Sequence, residues 1–102
     1  MPRVISGTTD VPTAGTQVRI SNTARPVFSI TFKGLIGNTG NVYFGDSNVE
    51  ITDGFELAPG EAQSVDMPLN SDGKPMSVPI SDFYVNAATN GDDVCWVAIL
   101  NT

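Results

Sequence analysis

The sequence GNTGNVYFGDSNVEITDGFELAPGEA, from Gly37 to Ala62, joins short runs of alternating polar and apolar residues to residues typical of turns. Within it, the run Asn41–Gly45 alternates in the way expected of a strand with one buried face. The sequence Ala58-Pro59-Gly60 predicts a type II turn, because proline supplies the negative φ and glycine the positive φ. Asn90-Gly91 predicts another tight turn further along the chain. We therefore expect a chain built of hairpins.

The same alternation continues on both sides of this stretch. Val18 and Ile20 share one side of their segment, and in Val27–Lys33 the apolar residues at even positions are expected to face the core. Further strands are predicted at Phe83–Asn86 and Val94–Leu100, whereas no window shows a helical period. The fold class predicted is all-β: an antiparallel, jelly-roll-like β-sandwich of about eight short strands.

The 102 residues suit a single domain. Residues 1–15 are mostly small and polar, so we expect an N-terminal arm or an edge strand there, followed by the sandwich domain at 16–102. Pro68 interrupts the alternating run Gln63–Leu69, which favours an edge strand or the end of one.

Charge and composition exclude several classes of partner. The formal net charge is −6, and the five Lys and Arg residues are scattered, so binding to nucleic acid or to an anionic membrane is not expected. Charged residues make up only 16% of the chain, below the roughly 25% of an average domain. That shortage fits a component of a large assembly. The segment Met1–Ile5 lacks the apolar stretch of a signal peptide, so we expect synthesis in the cytoplasm.

Catalytic chemistry is sparse. The chain has no histidine, which removes the commonest general base and metal ligand, and no nucleotide or zinc motif occurs. Asp46, Glu50 and Asp53 surround one loop, and Asp92-Asp93 follow a turn. Such carboxylates suit turns and solvated surface, with calcium binding and glycoside hydrolysis as the alternatives. We expect no enzyme activity, no cofactor and no metal.

The run Val94–Leu100 is apolar on both faces, which is unusual for an antiparallel strand with one wet side. Either its second face lies beneath a loop or the N-terminal arm, or that face contacts another subunit. Cys95 in this run is expected to be a small buried residue rather than a reactive thiol. Tyr43, Tyr84 and Trp96 are candidates for protein or sugar contacts, with core or rim packing the alternative for Trp96.

The succession GNTGNVYFGDS, GFELAPGE and FYVNAATNGDDVCWVAIL resembles small β-sandwich proteins of tailed bacteriophages, the head decoration or cement proteins and the domains that cap or anchor virion fibres. The resemblance covers roughly the last two thirds of the chain. It implies a structural virion protein on the capsid surface that binds between major capsid proteins and forms a trimer or dimer. The expected interface residues are Val4, Ile5, Tyr43, Tyr84, Trp96, Val97 and Ile99.

The alternative that the residues leave open is a carbohydrate-binding or capping domain of a phage tail fibre or baseplate. That alternative uses Tyr43 and Tyr84 as exposed rings on which a sugar stacks.

Overall fold

The computed structural model describes residues 2–74 and 76–101, so Met1, Pro75 and Thr102 lie outside the described part. Within the described residues, nine strands and one short 3₁₀ turn, Ile80–Asp82, make up the regular structure. The strands are β1 (Pro2–Val11), β2 (Val18–Arg19), β3 (Pro26–Gly34), β4 (Val42–Gly45), β5 (Phe55–Leu57), β6 (Ala62–Asp66), β7 (Val78–Pro79), β8 (Tyr84–Ala87) and β9 (Asp92–Asn101). All the pairings are antiparallel, which confirms the predicted all-β sandwich.

The strands form two sheets. Sheet A has the order β1-β9-β3-β6, with β7 also paired to β3, and sheet B has the order β2-β8-β4-β5. Only β4 and β5 are both consecutive in the chain and paired with each other within the described residues. The expectation of a chain built of hairpins was therefore wrong. Most connections carry the chain from one sheet to the other, and a local turn signal does not reveal whether the next strand returns alongside or crosses over.

The core lies between the sheets and is filled from both of them. Phe32 of sheet A stacks on Phe44 of sheet B with ring centroids 4.2 Å apart. Alternate residues of β9 enter this layer because side chains alternate across a strand. The buried cluster comprises Val11, Ile20, Val27, Ile30, Phe32, Val42, Phe44, Leu57, Ile80, Val85, Ala87, Val94, Trp96, Ala98 and Leu100.

A register shift in β3 changes which residues face the core. The pairing with β9 shifts between Val27 and Ser29, so Phe28 is the extra residue of a bulge. Val27 and Ile30 are both fully buried although they stand at odd and even positions, whereas Phe28 is only half-buried. The expectation that Phe28 belongs to the same inward row as Ile30 and Phe32 was wrong for this reason.

The predicted glycine turns occur where expected. Gly60 has a φ of 84°, and the amide of Glu61 bonds to the carbonyl of Ala58 at 2.9 Å, as a type II turn requires. Gly91 has a φ of 82°. The turn that it closes links β8 to β9, which lie in different sheets. It is thus a crossing between layers and not a hairpin.

Residues 2–11 form the longest edge strand of the fold. Every residue from Pro2 to Val11 has a partner in β9. Val11 is fully buried in the core, so this segment is part of the sandwich.

Candidate protein interface

The surface of sheet A that points away from sheet B is the candidate interface, and we call it the outer face. Residues directly opposite one another in antiparallel strands point to the same side of the sheet. In β9 the core-facing residues alternate with Cys95, Val97 and Ile99, which are half-buried or exposed. The outer face comprises Val4, Ser6, Thr8 and Asp10 of β1, Asp93, Cys95, Val97 and Ile99 of β9, Ser29, Thr31 and Lys33 of β3, and Ala62, Ser64 and Asp66 of β6.

Three branched apolar side chains stand at the β1–β9 side of the outer face. Val4 is 66% exposed, Val97 47% and Ile99 40%. Val4 lies directly opposite Ile99, and Val97 is next in the same row of β9. We call Val4, Val97 and Ile99 the apolar trio. Because β1 lies beside β9 rather than over it, neither the first strand nor a loop removes these side chains from solvent.

Small hydroxyl residues surround the apolar trio. Thr31 and Ser64 share a hydrogen bond of 2.8 Å across β3 and β6, and the Ser29 hydroxyl donates to Asp66 Oδ1 at 2.7 Å. These bonds hold the side chains close to the sheet. The outer face is therefore flat, and the apolar trio is its most apolar part.

A shallow groove of about 410 Å³ runs across the same face. Its lining includes Ser6, Thr8, Thr31, Lys33, Cys95 and Val97. The Thr8 hydroxyl donates to the Cys95 sulfur at 3.7 Å. Cys95 is half-buried on this face rather than within the core, so the expectation of a buried cysteine was only partly met.

Two of the predicted interface residues lie on the core side of sheet A. Ile5 is half-buried and packs against the core. Trp96 is 8% exposed, and its indole N–H donates to the Thr9 hydroxyl at 3.2 Å. The ring of Trp96 serves as core packing, the alternative that its mid-strand position left open.

Tyr43 does not present an exposed ring. It is 7% exposed, on the side of β4 that faces away from sheet A, and its hydroxyl donates to Glu56 Oε2 at 3.0 Å. The loop between β4 and β5 folds over this side, since Val49 is fully buried and its carbonyl accepts from Asn86 Nδ2 at 3.0 Å. The expectation of an exposed Tyr43 was therefore wrong. Burial and the adjacent Glu56 carboxylate raise the pKa of Tyr43 above its ordinary value of 10.0.

Tyr84 lies in a polar cleft of about 310 Å³ on sheet B. Its hydroxyl accepts a hydrogen bond from Arg19 Nε at 2.9 Å, and the guanidinium carbon lies 5.2 Å from the ring centroid. The other lining residues are Asp46, Ser47, Ser81 and Asp82. Sequence reasoning did not identify Arg19, because β2 and β8 are far apart in the chain and only their pairing brings the two side chains together.

Two of the turn carboxylates accept hydrogen bonds from backbone amides. Asp46 Oδ1 accepts from the Asn48 amide at 3.0 Å. Glu50 and Asp53 are paired through their backbone groups, at 2.9 and 3.1 Å, and both side chains are exposed. Asp92 is 5% exposed and accepts from two amides of the loop before β4, those of Thr39 at 3.0 Å and Gly40 at 2.9 Å. These contacts give the carboxylates of Asp46 and Asp92 structural roles.

Asp93 has a different environment on the outer face. It lies directly opposite Asp10 on β1. Partial burial, a hydrogen bond with Asp10 and the nearby charges of Asp10 and Asp92 raise the pKa of Asp93 above its ordinary value of 3.8. Within residues 2–74 and 76–101, no three Asp, Glu or Cys side chains gather closely enough to hold a metal ion.

The geometry offers a surface for contact, formed by an exposed apolar trio on a flat, hydroxyl-rich face. No helix among the described residues has the length and apolar character that a membrane crossing requires. A comparison with known proteins finds no family model that matches this chain and no curated protein with significant similarity to it.

Proposed function

We propose that this chain is a structural virion protein, a decoration or cement subunit that binds between the major capsid proteins of a tailed phage head and stabilises the shell. The observation that carries the proposal is the apolar trio on the outer face. Val97 and Ile99 are 47% and 40% exposed in a strand whose other face fills the core. Contiguous exposed apolar groups mark protein contacts, and their burial at a subunit junction would stabilise attachment.

The mode of action is mechanical. A rigid sheet with a flat outer face can lie across the junction between two capsid subunits, where each copy buries part of the surface of both. Interfaces of about 1,200–2,000 Å² hold stable complexes, and many identical copies multiply the effect. The net charge of −6 suits a partner surface with exposed basic residues. The protein would act on the capsid surface after synthesis in the host cytoplasm.

The strand orders support a jelly-roll winding, the finer description of the sandwich. Each sheet interleaves early and late strands, as in β1-β9-β3-β6 and β2-β8-β4-β5. Double-sheet jelly rolls occur in viral capsid proteins, in lectins and in cupins, so the winding fits the proposed role without selecting it.

The experiment that tests the proposal uses a variant that keeps the strand and removes its apolar surface. In Val97→Thr/Ile99→Thr both side chains remain β-branched, so the strand propensity is retained. The control is Ile51→Thr, since Ile51 is 51% exposed but lies on the loop between β4 and β5. Binding to phage heads that lack the protein is measured by co-sedimentation.

We expect the wild type and Ile51→Thr to bind the heads, and the double variant to lose binding by at least about tenfold, since two buried apolar side chains contribute several kcal/mol. Equal binding by the double variant would overturn the role of the apolar trio. Failure of the wild type to bind would overturn the cement function itself. Deletion of residues 1–12 is unsuitable, because it removes β1 and the buried Val11.

A carbohydrate-binding or capping role on a tail fibre or baseplate is the second candidate, and the cleft around Tyr84 favours it. Arg19, Asp46 and Asp82 surround that cleft, and such groups can bond sugar hydroxyls. Buried Tyr43 takes no part. Glycan-array binding that is lost in Tyr84→Ala would support this role over the capsid role, whereas an array without a selective signal would remove it.

A further inference from the structure

The four edges of the sandwich differ greatly in length. Sheet B ends in β2, with two residues, and β5, with three, while sheet A ends in β6, with five. The remaining edge, β1, has ten residues. Short edge strands protect a sheet from pairing with other chains, since they offer few free backbone groups. Only β1 departs from that rule among the described strands.

The second side of β1 has backbone groups available for pairing. Within the described residues, β9 is the only strand paired with β1, and the one further backbone bond is from the Gly91 amide to the Val11 carbonyl at 2.8 Å. The stretch from Val4 to Thr9 contains no proline, no lysine and no bulge, the devices that commonly block an edge.

The charges on β1 favour one way of pairing. Its only charged residues are Arg3 and Asp10, near opposite ends of the strand. When two copies lie antiparallel, the two Arg3 residues are far apart along the seam and so are the two Asp10 residues, while Arg3 and Asp10 of different copies point to opposite faces of the joined sheet; this arrangement therefore keeps like charges apart. A parallel arrangement would place like charges together.

We propose that two copies of this chain associate through their β1 edges, antiparallel about a two-fold axis near Ser6 and Gly7. The two A sheets then form one continuous sheet in which β1 of one copy adds to β1 of the other. Closed two-fold pairing uses the same surface on both subunits, which suits a single free edge. The inference does not depend on the capsid function.

This pairing would join two outer faces into one. Val4 stands on β1 itself, so the apolar trio of each copy approaches the seam. The dimer would present a double surface to any third partner, and the edge that threatens uncontrolled aggregation would be closed.

The first test compares two lysine variants by sedimentation equilibrium of the full chain. Ser6 and Ser64 are both exposed on the outer face, on the two opposite edge strands β1 and β6. Ser6→Lys places two like charges beside the proposed axis, while Ser64→Lys makes the same charge change away from it. Because the chain carries −6, either lysine lowers the overall repulsion between copies, so a weaker dimer can only be a local effect.

We expect a dimer for the wild type and Ser64→Lys, and an association constant at least about tenfold lower for Ser6→Lys, since opposed like charges destabilise paired strands. A wild type that stays monomeric up to about 1 mM would overturn the proposal, because any dimer would then have a dissociation constant well above that concentration. Equal association of all three proteins would do the same.

A second test locates the seam by cross-linking. In a Cys95→Ser background, Ser6→Cys is expected to give a disulfide-linked dimer under mild oxidation, because β-carbons near the axis come within bridging distance. Ser64→Cys in the same background is the matched control and should stay monomeric. Cross-linking through Ser64→Cys alone would place the contact at β6 and refute the β1 seam. Circular dichroism verifies that each variant is folded.

Discussion

Gly7 on β1 lies directly opposite Trp96 on β9, and the indole fills the space that a side chain at position 7 would need. A β-carbon built on Gly7 would lie 2.7 Å from Cζ2 of Trp96. The Trp96 ring thus packs directly on the backbone of Gly7, and such a cross-strand aromatic contact offsets the lack of a side chain on a glycine within a sheet.

Gly7→Ala should therefore lower the free energy of unfolding by about 1–3 kcal/mol, the usual cost of overpacking. The measurement is urea unfolding followed by tryptophan fluorescence. Ser6→Ala is the control, since Ser6 is exposed on the other side of the same strand, and it should change stability by less than about 0.5 kcal/mol. Equal stability of the two variants would show that the ring moves aside without cost.

Asp92 anchors the loop before β4, and its removal should release that loop. In Asp92→Ala the amides of Thr39 and Gly40 lose their acceptor, which should cost about 1.5–3 kcal/mol, the usual contribution of hydrogen bonds to a charged group. Hydrogen exchange at the two amides should accelerate together. Asp72→Ala is the charge-matched control in an exposed turn. Unchanged exchange in Asp92→Ala would contradict the anchoring role.

The carboxyl pair of Asp10 and Asp93 should make stability depend on pH. The folded state raises the pKa of Asp93 above 3.8, so it binds the proton more tightly than the unfolded state does. This contribution is complete below pH 3.8 and is lost as the pH rises through the raised pKa.

Asp93→Asn removes the opposed charges, so at pH 7 it should be more stable than the wild type by about 0.2–1 kcal/mol, a range that solvent screening keeps small. Unfolding curves between pH 3 and pH 7 test this, with Asp72→Asn as the control. A variant that is less stable than the wild type at pH 7 would refute the repulsion.

Tyr43 should make the fold sensitive to alkali. Its pKa is raised above 10.0, so the folded state retains the phenolic proton, and the associated stability is lost as the pH rises through the raised value. Tyr43→Phe should lose about 0.5–1.5 kcal/mol at pH 7 with the bond to Glu56, and should flatten the alkaline decline. Thermal unfolding from pH 8 to pH 11 compares it with Tyr84→Phe. The same slope in Tyr43→Phe as in the wild type would contradict this origin.

The class of the fold was predictable because it depends on local signals. The polar and apolar alternation of Asn41–Gly45 follows from the way side chains alternate across a strand, and the turn at Gly60 follows from the positive φ that glycine adopts easily. Which strands become neighbours was not predictable, because pairing of β1 with β9 depends on contacts between distant parts of the chain. The length of β1 was not predictable, because Val4–Thr9 lacks a regular row of large apolar residues. One of its core-facing positions is Gly7, where the Trp96 ring takes the place of a side chain.

The candidate site was predictable only in part. The apolar residues Val97 and Ile99 were visible in the sequence, but whether their side would be covered was left open. Val4 became part of the same surface only through the β1–β9 register. Tyr43 was placed on the correct side of β4, yet the loop that carries Val49 covers that side, and no local pattern announces such a cover.

The position of β9 has a consequence for how the molecule is made. β9 lies between β1 and β3, so these two earlier strands cannot be joined into sheet A until the ribosome has made β9. Vectorial synthesis therefore leaves β1 and β3 without their shared partner until β9 emerges. Sheet A is then completed late, with the slow kinetics typical of folds dominated by contacts between distant parts of the chain.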